Sequence, residues 1–128
     1  GVSLNGPKDF IKTGNLEWRE GNNIVAVQTY ESNMTKKEHE YVCKEASRAT
    51  SFVKMDYVKI NDVEYSICIQ SGDNGMLIGQ VPIFRNGHTF YVFAGTFPGD
   101  YKESDKMSLA YNKLYEMLGY MIMRVATY

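Results

Sequence analysis

An α+β fold, a mainly antiparallel β-sheet sandwiched by helices with a long C-terminal helix, is what this sequence predicts. Three observations carry the prediction. Residues 76–84 and 89–97 are apolar runs flanking an Arg85-Asn86-Gly87-His88 turn, and Asn-Gly between such runs is the strongest short-range hairpin signal. Met107, Tyr111, Leu114, Leu118, Met121 and Val125 recur at spacings of three and four, which lays one apolar seam along a helix from 104 to 125. The chain has 128 residues, 44% hydrophobic and 23% charged. These are values for one globular domain, so 1–128 is read as a single unit able to bury roughly two-thirds of its unfolded surface.

The elements follow in order. Residues 1–15, with Gly6, Pro7, Gly14 and few apolar positions, read as an irregular N-terminal arm. Leu16-Glu17-Trp18 is a short strand, ended by the turn formers Glu20-Gly21-Asn22-Asn23. The run 24–31 is apolar on both parities at its start, as in a strand buried on both faces. Thr35 with Glu38 three residues on forms a capping box, with Met34 placed to staple the first turn. A helix over 35–52 then carries His39, Val42, Cys43, Ala46, Ala49 and Val53 on one stripe. Strands at 55–60 and 63–70 are joined by Asn61-Asp62, which tolerate the positive φ of a two-residue turn. In the second of them Val63, Tyr65, Ile67 and Ile69 share one face, while Glu64, Ser66, Cys68 and Gln70 share the other. Residues 71–75 are a loop. Pro82 has no amide to donate, so its strand is expected at an edge or interrupted there. Phe97-Pro98-Gly99-Asp100 ends the sheet, and the last helix starts near Ser104, with Asp105 favourable to its N-terminal dipole.

The entry from Pro7 to Trp18, the strand at 24–31, the helix at 35–52, the hairpin NGHTFYVFAGTF at 86–97 and the terminal helix at 104–125 together resemble the PsbP-like superfamily. The resemblance is one of element order over most of the chain. It implies an antiparallel sheet between helices and, for function, mostly non-enzymatic adaptors: the superfamily includes photosystem accessory subunits, bacterial lipoproteins, chaperones and nuclear-import factors. No binding residue of that family transfers by position.

Composition narrows the function. A net charge of -1 without a clustered basic surface argues against nucleic-acid binding. The longest apolar run, Tyr120-Met121-Ile122-Met123, is far too short to span a bilayer. Cys43 and Cys68 are compatible with one disulfide or two buried thiols. An even cysteine count and ten Tyr favour an exported, periplasmic or secreted bacterial protein, and Gly1 in place of Met fits a processed end.

His39 and Cys43 stand four apart and can converge on one metal ion. The other ligands have no supporting spacing, so no metal and no cofactor is expected. A nucleophilic Cys43 or Cys68 with His88 is a second reading, weakened because Cys43 falls mid-helix on the apolar stripe and Cys68 mid-strand. Gly72-Asp73-Asn74-Gly75 matches neither a calcium nor a phosphate loop, and Asn33-Met34-Thr35 is a glycosylation sequon only in a eukaryotic secretory setting. The surplus of aromatic residues is the sharpest signal. It is read as core beneath two helices, or as a groove for a ligand or peptide with Arg85, His88 and Tyr91 at its rim and Trp18 nearby. The expected function is thus a non-catalytic binding or accessory domain, a monomer with a protein or small ligand of undetermined identity. The alternatives are a small Cys/His enzyme and a structural subunit that self-associates along an exposed edge near Pro82.

Overall fold

A computed structural model describes residues 4–30, 35–46, 51–72, 74–85, 87–102 and 104–127. Among these residues seven strands form one antiparallel sheet: β1 (Ile11–Gly14), β2 (Glu17–Glu20), β3 (Asn23–Tyr30), β4 (Ser51–Ile60), β5 (Val63–Ser71), β6 (Leu77–Arg85) and β7 (His88–Thr96). Two helices accompany them, α1 (Lys36–Ala46) between β3 and β4, and α2 (Lys106–Ala126) at the end. The strand order is β1-β2-β3-β7-β6-β5-β4. Thus a first meander runs inward to β3, α1 carries the chain to the far edge, and a second meander returns until β7 pairs with β3. This is the sandwiched antiparallel sheet with a long terminal helix that the residue pattern predicts.

Turn chemistry sets the register. Asn61 and Asp62 take φ of 50° and 66° between Ile60 and Val63, the geometry that suits a two-residue hairpin. Gly87 takes φ of 77°, with Arg85 opposite His88; Asn86 lies outside the described residues. At the start of α1 the Glu38 amide donates to Thr35 Oγ1 at 3.2 Å, so Thr35 caps that helix. The position of the expected staple, Met34, lies outside the described residues.

The faces follow from strand alternation. Ile69 pairs with Gly79, and Gly79 with Ala94, which pairs with Val25. This row faces α2, because a Cβ added at Gly79 would stand 2.6 Å from Leu118 Cδ1. Glycine is what lets the helix approach that closely. Leu114, Met117, Leu118, Met121, Ile122 and Val125 bury against Val25, Val27, Ile67, Val81 and Val92 to form the core. Trp18 shares this face, with Gly6 of the N-terminal arm packed on its ring. The opposite face, with Ser66, Cys68 and Tyr91, carries α1. Tyr57 Oη donates to Glu40 at 3.1 Å and Lys36 Nζ to Glu64 at 2.7 Å, docking α1 on β4 and β5.

Several boundaries differ from expectation. Ile11–Gly14 is a strand inside the stretch read as an irregular arm, because it pairs with β2 despite having no buried side chain. Helix α1 ends its described run at Ala46, and Ser51 already belongs to β4. The apparent stripe overran because Ala49 and Val53 happen to continue a helical spacing. Of that stripe His39 and Cys43 are buried and Val42 is exposed; Ala49 lies outside the described residues. Met107 is exposed, so the α2 seam begins at Ala110 rather than at the helix start. Asp105 is the N-cap residue of α2 but makes no side-chain capping bond.

Candidate functional site

The sheet contains a gap. Strands β5 and β6 pair from Ser71↔Leu77 to Cys68↔Gln80, and there the ladder stops. Continuing the register would match Ser66 with Pro82, Tyr65 with Ile83, Glu64 with Phe84 and Val63 with Arg85. None of these pairs forms, although both strands run on: β5 remains paired with β4 over Val63–Ile67, and β6 with β7 over Val81–Arg85. Those eight residues line a cleft of about 330 Å³, together with Lys36 of α1 and Ala126 of α2. Consecutive residues of one strand point to opposite faces. A cleft lined by four in a row from each strand therefore lies in the plane of the sheet, between two strand edges.

Pro82 explains why the seam opens. It holds its place opposite Tyr91 in β6, which a proline does without losing a ladder bond only if its nitrogen is directed away from β7. That direction is the gap. By alternation, the groups aimed into the gap are the N–H and C=O of Glu64 and Ser66 on one wall, and the C=O of Pro82 with the N–H and C=O of Phe84 on the other. The expectation of an interruption at Pro82 fits this geometry; an outer edge does not, because the outer strands are β1 and β4. Tyr65, Ile83 and Ala126 give the cleft an apolar side toward α2, while Lys36 and Glu64 sit on the α1 side. Lys36 Nζ donates to Glu64, and this hydrogen bond holds the lysine pKa above its ordinary value.

The residues expected to form one surface, Arg85, His88, Tyr91 and Trp18, are not brought together. Trp18 is 4% exposed in the α2-side core. Tyr91 is buried on the opposite face, its ring 5.6 Å from His39 and 6.2 Å from Phe93. Arg85 lines the cleft, but Nη1 donates to the carbonyls of Val125 and Ala126 at 3.0 and 3.2 Å. It therefore clamps the negative end of α2 to β6. His88 is exposed at the hairpin, paired across from Arg85. Of the described aromatic side chains Trp18 and Tyr91 are buried and most others are half-buried at the margin of the core; the gap was written instead in Pro82 and in the alternation of its neighbours.

At the closed end of the gap Cys43 and Cys68 are joined as a disulfide, with Cα atoms 6.1 Å apart. His39, one turn before Cys43, is 1% exposed, and its Nε2 has no hydrogen-bond partner among the described residues. Burial holds its pKa below the ordinary imidazole value, with Glu40 pulling weakly upward. Among the described residues no group of three His, Cys, Asp or Glu side chains is arranged to hold a metal ion, and no helix is long and apolar enough to cross a membrane. Comparison of the chain with protein-family models, with curated proteins and with solved structures gives no match.

Proposed function

We propose that this chain is a non-catalytic binding or accessory domain, PsbP-like in architecture and working outside the cytoplasm of a bacterium, with the β5–β6 cleft as its binding site. The observation that carries the reading is the cleft itself. It joins an apolar side from Tyr65, Ile83 and Ala126 to charged Lys36, Glu64 and Arg85, the mixture that small ligand sites use, and its volume lies at the lower end of their range. The disulfide supports an oxidising location. It also ties up the sulfurs that a Cys/His mechanism would need, since the chain has two cysteines in all.

A fragment screen followed by amide chemical shifts tests the site. Small aromatic and amide fragments are expected to shift the amides of Val63–Ser66 and Ile83–Arg85 together. Shifts that gather at another surface, or none at millimolar fragment, overturn the assignment. Iodoacetamide at neutral pH is expected to leave both cysteines unlabelled; stoichiometric labelling of the native protein would revive the nucleophile.

A further inference from the structure

We infer that the β5–β6 cleft takes an extended polypeptide segment that inserts as an additional strand, its side chains apolar toward α2 and polar toward α1. The inference rests on the binding reading above and names its partner class.

The walls make the argument. A conventional pocket offers side chains; this one offers two strand edges at once, each with main-chain donors and acceptors that no described strand satisfies. An extended segment in such a gap forms ladder bonds on both sides, where addition at an outer edge forms them on one. Its side chains then alternate between two different environments. On one side they meet Tyr65, Ile83 and Ala126; on the other they meet Lys36, Glu64 and Phe84, which is 45% exposed. On the α1 side Lys36 and Glu64 are already paired with each other, so the guest positions facing them are expected to be polar.

The cleft is also built to stay open at one end and shut at the other. Its closed end, Cys68↔Gln80, is the point at which the disulfide fastens α1 to β5. Its far end is braced by the Arg85 bonds to the α2 carbonyls and by the Lys36 to Glu64 bond. Pro82 keeps β5 from closing onto β6, because pairing there would lack a donor.

The test uses the intact protein and a capped heptapeptide, acetyl-TVDVTVT-amide, titrated while amide shifts are followed. Shifts on both walls, at Glu64, Ser66 and Phe84, are expected. The same peptide N-methylated at alternate residues is expected to bind at least about tenfold more weakly, since one edge loses its hydrogen bonds. Phe84→Pro removes the remaining amide of the β6 wall without touching the β7 ladder; it is expected to keep the native melting temperature and to weaken the peptide by a similar factor.

Equal binding of the plain and methylated peptides would overturn strand insertion while leaving the cleft a ligand site. Absence of wall shifts at millimolar peptide would overturn it too, and the fragment screen then decides the binding reading separately. Unfolding of the Phe84→Pro protein would show that the Phe84 amide is used internally, against the open wall. Wall shifts that grow with protein concentration alone would assign the cleft to a second copy of this chain.

Discussion

His39 is the residue whose chemistry most clearly couples to stability. Its ring is buried against Tyr91, and Nε2 lacks a partner among the described residues, so the neutral form is the one the fold accommodates. The folded pKa lies below the ordinary value of 6.5, which the unfolded chain retains. The unfolded state therefore binds the proton first as pH falls. Stability is fully present above 6.5 and declines below it until the folded pKa is reached, with a slope of at most about 1.4 kcal/mol per pH unit. Urea unfolding across that window should show the slope in the native protein and its loss in His39→Leu. An unchanged slope would assign the acid sensitivity to other groups. Asp56 acts in the same direction at lower pH: the hydrogen bond from Tyr115 holds its carboxyl below the usual value, so its contribution is present above the ordinary carboxylate pKa and fades in stronger acid.

At the level of elements, the two helices are held by different physics. Helix α2 has a continuous apolar seam, and its attachment is hydrophobic: Leu114, Leu118 and Met121 are completely shielded on Gly79, Val81 and Val92. Helix α1 is short and largely polar, below the length at which a helix stands alone. It depends on tethers: the Thr35 cap, the Tyr57 to Glu40 and Lys36 to Glu64 bonds, and the disulfide. The disulfide bridges 25 residues of sequence, a loop whose closure is worth roughly 3.5 kcal/mol in the chain-entropy account. Replacing both cysteines by alanine should lower the melting temperature by on the order of 10 °C. Amides of α1 should lose protection from exchange before those of α2. If α2 frayed first, α1 would be held by more than its tethers.

For the molecule as a whole, the sheet is unequally closed. Strand β7 is paired along its length on both sides, with β3 and with β6, whereas β5 and β6 share only four residue pairs. Native-state hydrogen exchange should follow that distribution. The amides of Cys68 and Gln70, directed at β6 in the closed part of the seam, should be protected. Those of Glu64, Ser66 and Phe84 should exchange like exposed edge amides. Protection of all five alike would mean that the seam closes in solution. An open seam in mid-sheet also poses the hazard of any exposed strand edge, unwanted pairing with other chains. Here α1 and the α2 terminus stand at its two faces through Lys36 and Ala126, which restricts entry to a segment that is already extended.

What the sequence by itself determined is whatever local periodicity and turn chemistry encode. The strand and helix order from β2 onward, the Asn61-Asp62 turn, the hairpin turn at Gly87, the Thr35 cap, the seam from Leu114 to Val125, and the parity of Ser66 and Cys68 against Ile67 and Ile69 all depend on neighbours within about a turn or a strand. Only the tertiary structure decided the rest. Trp18 looks like a surface aromatic until β2 is placed beside β3 under α2, and Arg85 looks like a ligand contact until the end of α2 arrives to receive its hydrogen bonds. The cleft belongs to this second kind. Pro82 announced that a ladder would fail, but the partner strand, the number of pairs lost and the helices flanking the opening depend on contacts between residues distant in the chain. Such contacts are set by how the whole sheet closes, and no local pattern of residues records them.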